Sequence, residues 1–210
     1  MKNRQKFLYA TISASTAAAL FAGCSTSDDE PTTPSASMEH GGAHSAAPTS
    51  SSESATHNAA DVTFNQMMIP HHEQAVEMAG LVRGRSTDPA LLELATRIAD
   101  AQQPEIDEMT ARLSGWGIDA AGGGHAAGGH EGHDMSGMMS ESDMSALTAA
   151  RGAEFDRLWL EGMIRHHQGA VEMADDELAS GIDGPSRALA EQVRKAQQAE
   201  IDEMRRMLGQ

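Results

Sequence analysis

The sequence predicts an all-α protein, a four-helix bundle built from two duplicated antiparallel helix hairpins. Three observations predict it. Residues 68–79 read Met-Ile-Pro-His-His-Glu-Gln-Ala-Val-Glu-Met-Ala, and residues 163–174 read Met-Ile-Arg-His-His-Gln-Gly-Ala-Val-Glu-Met-Ala. The same offset of 95 aligns residues 102–109 with 197–204, so a whole unit of about 50 residues is duplicated. Within each unit the apolar positions recur at steps of three and four, the period of one helix face.

The first helix of repeat one carries its stripe on Phe64, Met68, His71, Ala75, Met78 and Val82, with Asp61 as the expected N-cap and Gly84 as its stop. Asp88-Pro89 opens the second helix, a capping side chain followed by proline at the first helical position. Its stripe is Leu91, Ala95, Ile98, Gln102, Glu105 and Met109, with Leu113 one place off register and Gly115 at its end. Repeat two gives Trp159, Met163, His166, Ala170 and Met173, then Ala190, Val193, Gln197, Glu200, Met204 and Met207. Pro70 and Pro104 fall inside the helices of repeat one and predict kinks there. One hairpin cannot bury its stripe on both sides, and two together close a bundle.

The remaining segments divide the chain. Residues 1–23 begin with Lys2, Arg4 and Lys6, continue in apolar or small residues and end at Phe21-Ala22-Gly23 before Cys24, which reads as a secretory signal. Its boundary resembles a bacterial lipobox, with Phe21 where leucine is usual, and implies a lipid on Cys24 and a place on the outer face of the cell membrane. Cys24 is the sole cysteine, so intramolecular disulfides and further thiolate ligands are excluded. Residues 24–60 read as a flexible tether, 61–115 as repeat one, 116–150 as a His/Met-rich crossover and 151–210 as repeat two. The formal charge is −16 at pH 7, and loss of residues 1–23 leaves 12 basic against 31 acidic side chains. That balance argues against a nucleic-acid partner.

The stripe contains residues foreign to an apolar core. His71, His166, Gln102, Gln197, Glu105 and Glu200 fall on it. A hairpin turning near residue 86 places His71 level with residue 100, and the corresponding count places His166 level with Gln197. His72 and His167 are expected beside the seam. Burying such groups unpaired costs several kcal/mol, so they pair with each other or with an ion. Met68 lies three and four residues before His71 and His72, and Met163 stands likewise to His166 and His167; such pairs share a helix face and can chelate. Met78 lies a further layer along, about 10 Å from His71, and Met173 matches it. Thioether with imidazole suits copper, since soft sulfur holds Cu(I) and nitrogen accepts either oxidation state. Methionine is equally an ordinary gap-filler in helical cores. The crossover adds His125, His130, His133, Met135, Met138 and Met139, in sequence too polar for core packing to explain its methionines.

Residues 155–174, reading Phe-Asp-Arg-Leu-Trp-Leu-Glu-Gly-Met-Ile-Arg-His-His-Gln-Gly-Ala-Val-Glu-Met-Ala, together with 197–204, resemble the bacterial family called domain of unknown function 305. The resemblance covers about residues 61–210 apart from the crossover. It implies a ferritin-like bundle of two helix-pair repeats, secreted or membrane-tethered, with some members linked to copper binding and tolerance. Ferritin-like bundles often house di-iron sites with Glu-x-x-His motifs, and neither repeat contains one.

The leading expectation is an extracytoplasmic, lipid-anchored module that sequesters or delivers copper, with a copper exporter or cuproprotein as the delivery partner. A second is a redox or hydrolytic enzyme holding zinc, manganese or iron on His71, His166, Glu105 and Glu200. A third is a structural helical module at the cell surface. No nucleophile triad or dinucleotide fingerprint is visible, and no residue is assigned a catalytic role.

Overall fold

Residues 56–121 and 136–210 are described by the structure, a computed structural model. The expectations for the signal, Cys24, most of the tether, and His125, His130, His133 and Met135 lie outside the described residues. Five helices follow in order among the described residues: α1 Ala59–Val82, α2 Pro89–Gly115, α3 Glu141–Ala149, α4 Gly152–Ser180 and α5 Gly184–Met207. The all-α fold is as the sequence predicts, with α1–α2 and α4–α5 as the hairpins and α1 against α4 as the main seam between them.

Local chemistry sets most boundaries. Asn58, not Asp61, caps α1: its side chain accepts from the Ala60 and Asp61 amides at 2.8 and 3.2 Å. Asp61 closes the capping box by accepting the Asn58 amide at 2.6 Å. Asp88 and Asp183 cap α2 and α5, each followed by a proline in the first turn, where a missing N–H costs nothing. Gly84 and Gly117, at φ 86° and 73°, take the left-handed conformation that turns the chain out of α1 and α2. Helices α1 and α2 run through Pro70 and Pro104 without interruption.

Helix α3 occupies the last part of the crossover. Ser140 accepts the Asp143 amide at 3.1 Å, and Leu147 is fully buried as its anchor. A nine-residue helix with one buried anchor is too short to show a periodic stripe.

The core is two apolar clusters with a polar layer between them. One gathers the last turns of α1, the start of α2, the start of α4 and the end of α5, with Val82, Leu94, Ile98, Phe155, Trp159 and Ile201 among its members. The other gathers the opposite ends of those helices, including Phe64, Met68, Ile106, Met109, Leu113 and Leu189. Burial of each such side chain contributes about 1.5–3 kcal/mol.

At the second cluster's end, Asp61 ties α1 to the α4–α5 turn by accepting the amides of Ile182 at 3.0 Å and Asp183 at 2.9 Å. The Glu177 carboxyl, 1% exposed, lies against Asp61. Burial first, and then the neighbouring Asp61 carboxylate, push its pKa up to about 8 from 4.5. A folded-state pKa raised above the unfolded value contributes stability that is full below about 4.5 and is lost as pH rises through about 8. Urea unfolding should therefore show stability falling between pH 6.5 and 8, and Glu177→Gln, which stays neutral, should flatten that fall.

Candidate metal centre

The polar layer is built on the two His-His pairs. His71 of α1 and His166 of α4 meet across the seam, ring centroids 3.7 Å apart and planes tilted by 40°. They are equivalent positions of the two repeats, and only residues at the pseudo-twofold axis of a duplicated bundle meet their own counterparts. Each neighbouring histidine turns to its hairpin partner. His72 Nε2 lies 2.9 Å from Glu105 Oε2, and His167 Nε2 lies 2.7 Å from Glu200 Oε2. All four imidazoles, together with Met68 and Met163, are fully buried.

Two expectations change here. His72 and His167 are not beside the seam but inside it, and the cross-hairpin contacts run to Glu105 and Glu200, farther from the turns than level counting places them. Helical side chains lean toward their own N-termini, so in an antiparallel pair two long side chains bridge residues whose backbones are not level.

The hydrogen bonds dictate the tautomers. A carboxylate oxygen accepts, so the Nε2 atoms of His72 and His167 carry the hydrogen. His71 Nε2 lies 3.2 Å from the Ser136 carbonyl oxygen, which also only accepts. Three histidines are therefore held by their outer nitrogen, and the inner Nδ1 of each is buried without a partner. Neither nitrogen of His166 has a partner. The amides of Gln102 and Gln197, each 3% exposed, are unpaired at both ends. Each buried unsatisfied polar group costs about 1–3 kcal/mol, yet both repeats keep the histidine Nδ1 atoms and the glutamine amide among them.

Burial, then the neighbouring His72, pushes the His71 pKa down to about 3. Burial and then His71 push His166 well below its ordinary value. Burial lowers His167 against the opposing pull of Glu200. These three rings are neutral at pH 7 and offer lone pairs rather than charge, the form in which imidazole ligates a metal.

The donors nearest the layer are imidazole nitrogens, with one thioether on each side of it: Met68 in the second apolar cluster and Met163 in the first. Among the described residues, no group of three or more His, Cys, Asp or Glu side chains is placed to hold an ion, so imidazole and carboxylate alone do not complete a coordination sphere. Met68 and Met163 stand one helical turn before His71 and His166 on the same faces. Glu105 and Glu200 sit against outer imidazole nitrogens, and Glu105 also accepts from Gln192 Nε2 at 3.0 Å, which fixes ring orientation.

The other candidate residues are dispersed. Met78 lies in the first apolar cluster and Met173 packs half-buried on the second. Met138 is half-buried. Met139 is 8% exposed and packs in the first cluster, with Met144 against it, so core packing does account for those two crossover methionines. Sequence reasoning missed Ser136, Gln74 and Gln192 as neighbours of the layer, because each acts through a contact that no helix periodicity encodes.

Comparison with known proteins agrees with this architecture. The family model described as Domain of unknown function (DUF305) matches residues 61–208. A DUF305 protein from Streptomyces coelicolor superposes with TM-score 0.64 at 29% identity, over 71% of this chain and 92% of that one. A DUF305 fragment from Deinococcus radiodurans gives 0.63 at 32%, over 72% and 97%. CopM in the Cu(II)-bound form gives 0.60 at 32%, over 70% and 94%. The uncharacterized protein L153 of Acanthamoeba polyphaga mimivirus is 46% identical over 53 residues, which is 25% of this chain and 35% of the viral protein.

The layer predicts an acid response. A folded pKa held below the unfolded value of about 6.5 contributes stability present above that value and lost as pH falls toward the folded pKa. Relative to a His71→Leu/His166→Leu variant, the unmodified chain should lose about 1.4 kcal/mol per pH unit for each histidine below about pH 6. Parallel urea titrations at pH 7, 6 and 5 measure this, and a pH-independent difference would contradict the burial of neutral rings.

Proposed function

This chain belongs to the Domain of unknown function (DUF305) family, and on that basis we propose that it is a soft-metal-binding module that holds copper between its two repeats. The observation that carries the reading is the set of buried Nδ1 lone pairs on His71, His72 and His167, each oriented through Nε2, with Met68 and Met163 one turn away. Mixed nitrogen and sulfur donors favour copper over zinc, manganese and iron, because thioether is a poor ligand for hard ions. Structures similar to this chain include CopM in Cu(II)-bound, Cu(I)-bound and Ag-bound forms, which supports the same cargo here.

In this reading the layer is a storage or transfer site rather than a catalytic one. The carboxylates of Glu105 and Glu200 orient imidazoles and are not free to act as general bases. His125, His130, His133, Met135 and Met138 supply a second donor set for capture, on the strength of their sequence alone. The N-terminal reading completes the proposal: a chain exported by residues 1–23 and tethered through lipid on Cys24 works outside the membrane, where it sequesters copper or passes it to an exporter or cuproprotein. Among the described residues no helix is long and apolar enough to cross a membrane.

The test is competition titration of the chain from Cys24 onward with Cu(I) under reducing and Cu(II) under oxidising conditions. Affinity tighter than about micromolar is expected in at least one state, and its absence in both would end the proposal. Replacing Met38, His40 and His44 of the tether and His125, His130, His133, Met135 and Met138 of the crossover by serine should leave the bundle's ion bound, whereas His71→Leu/His166→Leu in that background should abolish it. Retained binding in the last variant would move the site out of the layer.

A further inference from the structure

The two repeats differ where the crossover lands on them. At the offset of 95, Gly162 and Gly169 of α4 correspond to Met67 and Gln74 of α1. Residues 136–140 lie against both helices here. A Cβ on Gly169 would come within 1.7 Å of the Ser136 carbonyl oxygen, and one on Gly137 within 2.2 Å of the Arg165 carbonyl oxygen, so backbone packs directly on backbone. Gly137 also takes φ 80°. A Cβ on Gly162 would meet Met139 Sδ at 2.9 Å. From α1, the Gln74 amide grips Met139 in both directions: Nε2 donates to its carbonyl at 3.0 Å, and Oε1 accepts its N–H at 2.8 Å. The Ser136 hydroxyl donates to Glu172 of α4.

This seat brings the Ser136 carbonyl to His71 and leaves His166 with no acceptor at either nitrogen. We infer that residues 136–140 are a positioning strap that dictates which nitrogen His71 offers to an ion, making chemically different two histidines that duplication made equivalent. The inference rests on the metal-binding reading for the ion and on geometry for the strap. The carbonyl accepts, so His71 keeps its hydrogen on Nε2 and its lone pair on Nδ1. A hydrogen bond to the outer nitrogen also orients the ring and raises its basicity as a ligand. Gln74 and Gly169 are positioning residues in this scheme: one holds the strap, the other makes room for it.

The strap explains a divergence that packing alone leaves arbitrary. Gln74 would collide with the strap if it stood at position 169, and glycine at position 74 could not hold it. Each repeat therefore carries the residue its side of the contact needs.

Nitrogen-15 NMR of imidazole tautomers in the metal-free chain tests this directly, with silver(I) titration as the second readout. In the unmodified chain His71 should be a single Nε2–H tautomer. Gln74→Ala and Gly169→Ala dislodge the strap from opposite helices, and each should leave His71 a mixture of tautomers and weaken silver binding about 10–100-fold. His72 and His167, held by Glu105 and Glu200, should keep their tautomers in both. An Nδ1–H tautomer of His71 in the unmodified chain would overturn the inference. So would variants that melt earlier while the His71 tautomer and silver affinity stay unchanged, since a merely structural strap behaves that way. A chain with the expected His71 tautomer and no affinity for silver or copper would overturn the metal reading while upholding the strap's hold on His71.

Discussion

The contact between His71 and His166 is the constraint on which the rest of this structure depends. Two imidazoles 3.7 Å apart at the pseudo-twofold axis cannot both be charged, and burial keeps them neutral. The adjacent His72 and His167 turn their outer nitrogens away from this contact, to Glu105 and Glu200 on the far helix of each hairpin. The unpaired inner atoms cost stability, about 1–3 kcal/mol each. The apolar clusters on either side offset that cost. A core arranged only for stability would place leucine at these positions.

Duplication explains the layer, and divergence between the copies explains how it is used. The His-His, Gln and Glu positions agree in both repeats because the axis passes between them. Away from the axis the copies part. Val82 packs in the first apolar cluster, while its counterpart Glu177 lies against Asp61; Leu91 is core, while its counterpart Ser186 accepts the Asn65 amide at 2.9 Å. The turn of the first hairpin is thus packed by apolar side chains and that of the second by polar ones. The same logic applies at the strap, where Gln74 and Gly169 serve opposite sides of one contact.

Much of this was legible in the sequence. The repeat offset, the stripes and the Asp-Pro helix starts specify the hairpins because capping and helix periodicity are local. The facing of His71 and His166 across the seam, and the burial of Gln102 and Gln197, follow the same period. Asn58 escaped notice as a cap because Asp61, three residues on, carries the more familiar side chain and in fact completes the capping box. Helix α3 escaped because a single buried Leu147 leaves no stripe. The burial of His72 and His167, and the strap over His71, depend on how side chains lean and on backbone meeting backbone. No spacing in the sequence encodes those contacts, although glycine at 162 and 169 opposite Met67 and Gln74 marked where the copies had ceased to be interchangeable.

X-ray absorption at the metal edge tests the central claim most directly: that the layer presents imidazole nitrogen and thioether sulfur to one soft ion. The sample is the chain with Met38, His40, His44, His125, His130, His133, Met135 and Met138 replaced by serine, loaded with one equivalent of Cu(I). The account predicts a first shell containing both nitrogen and sulfur scatterers, with sulfur lost on substitution of Met68 and Met163 by leucine. A shell of oxygen and nitrogen alone, or a sulfur signal indifferent to Met68 and Met163, would contradict it.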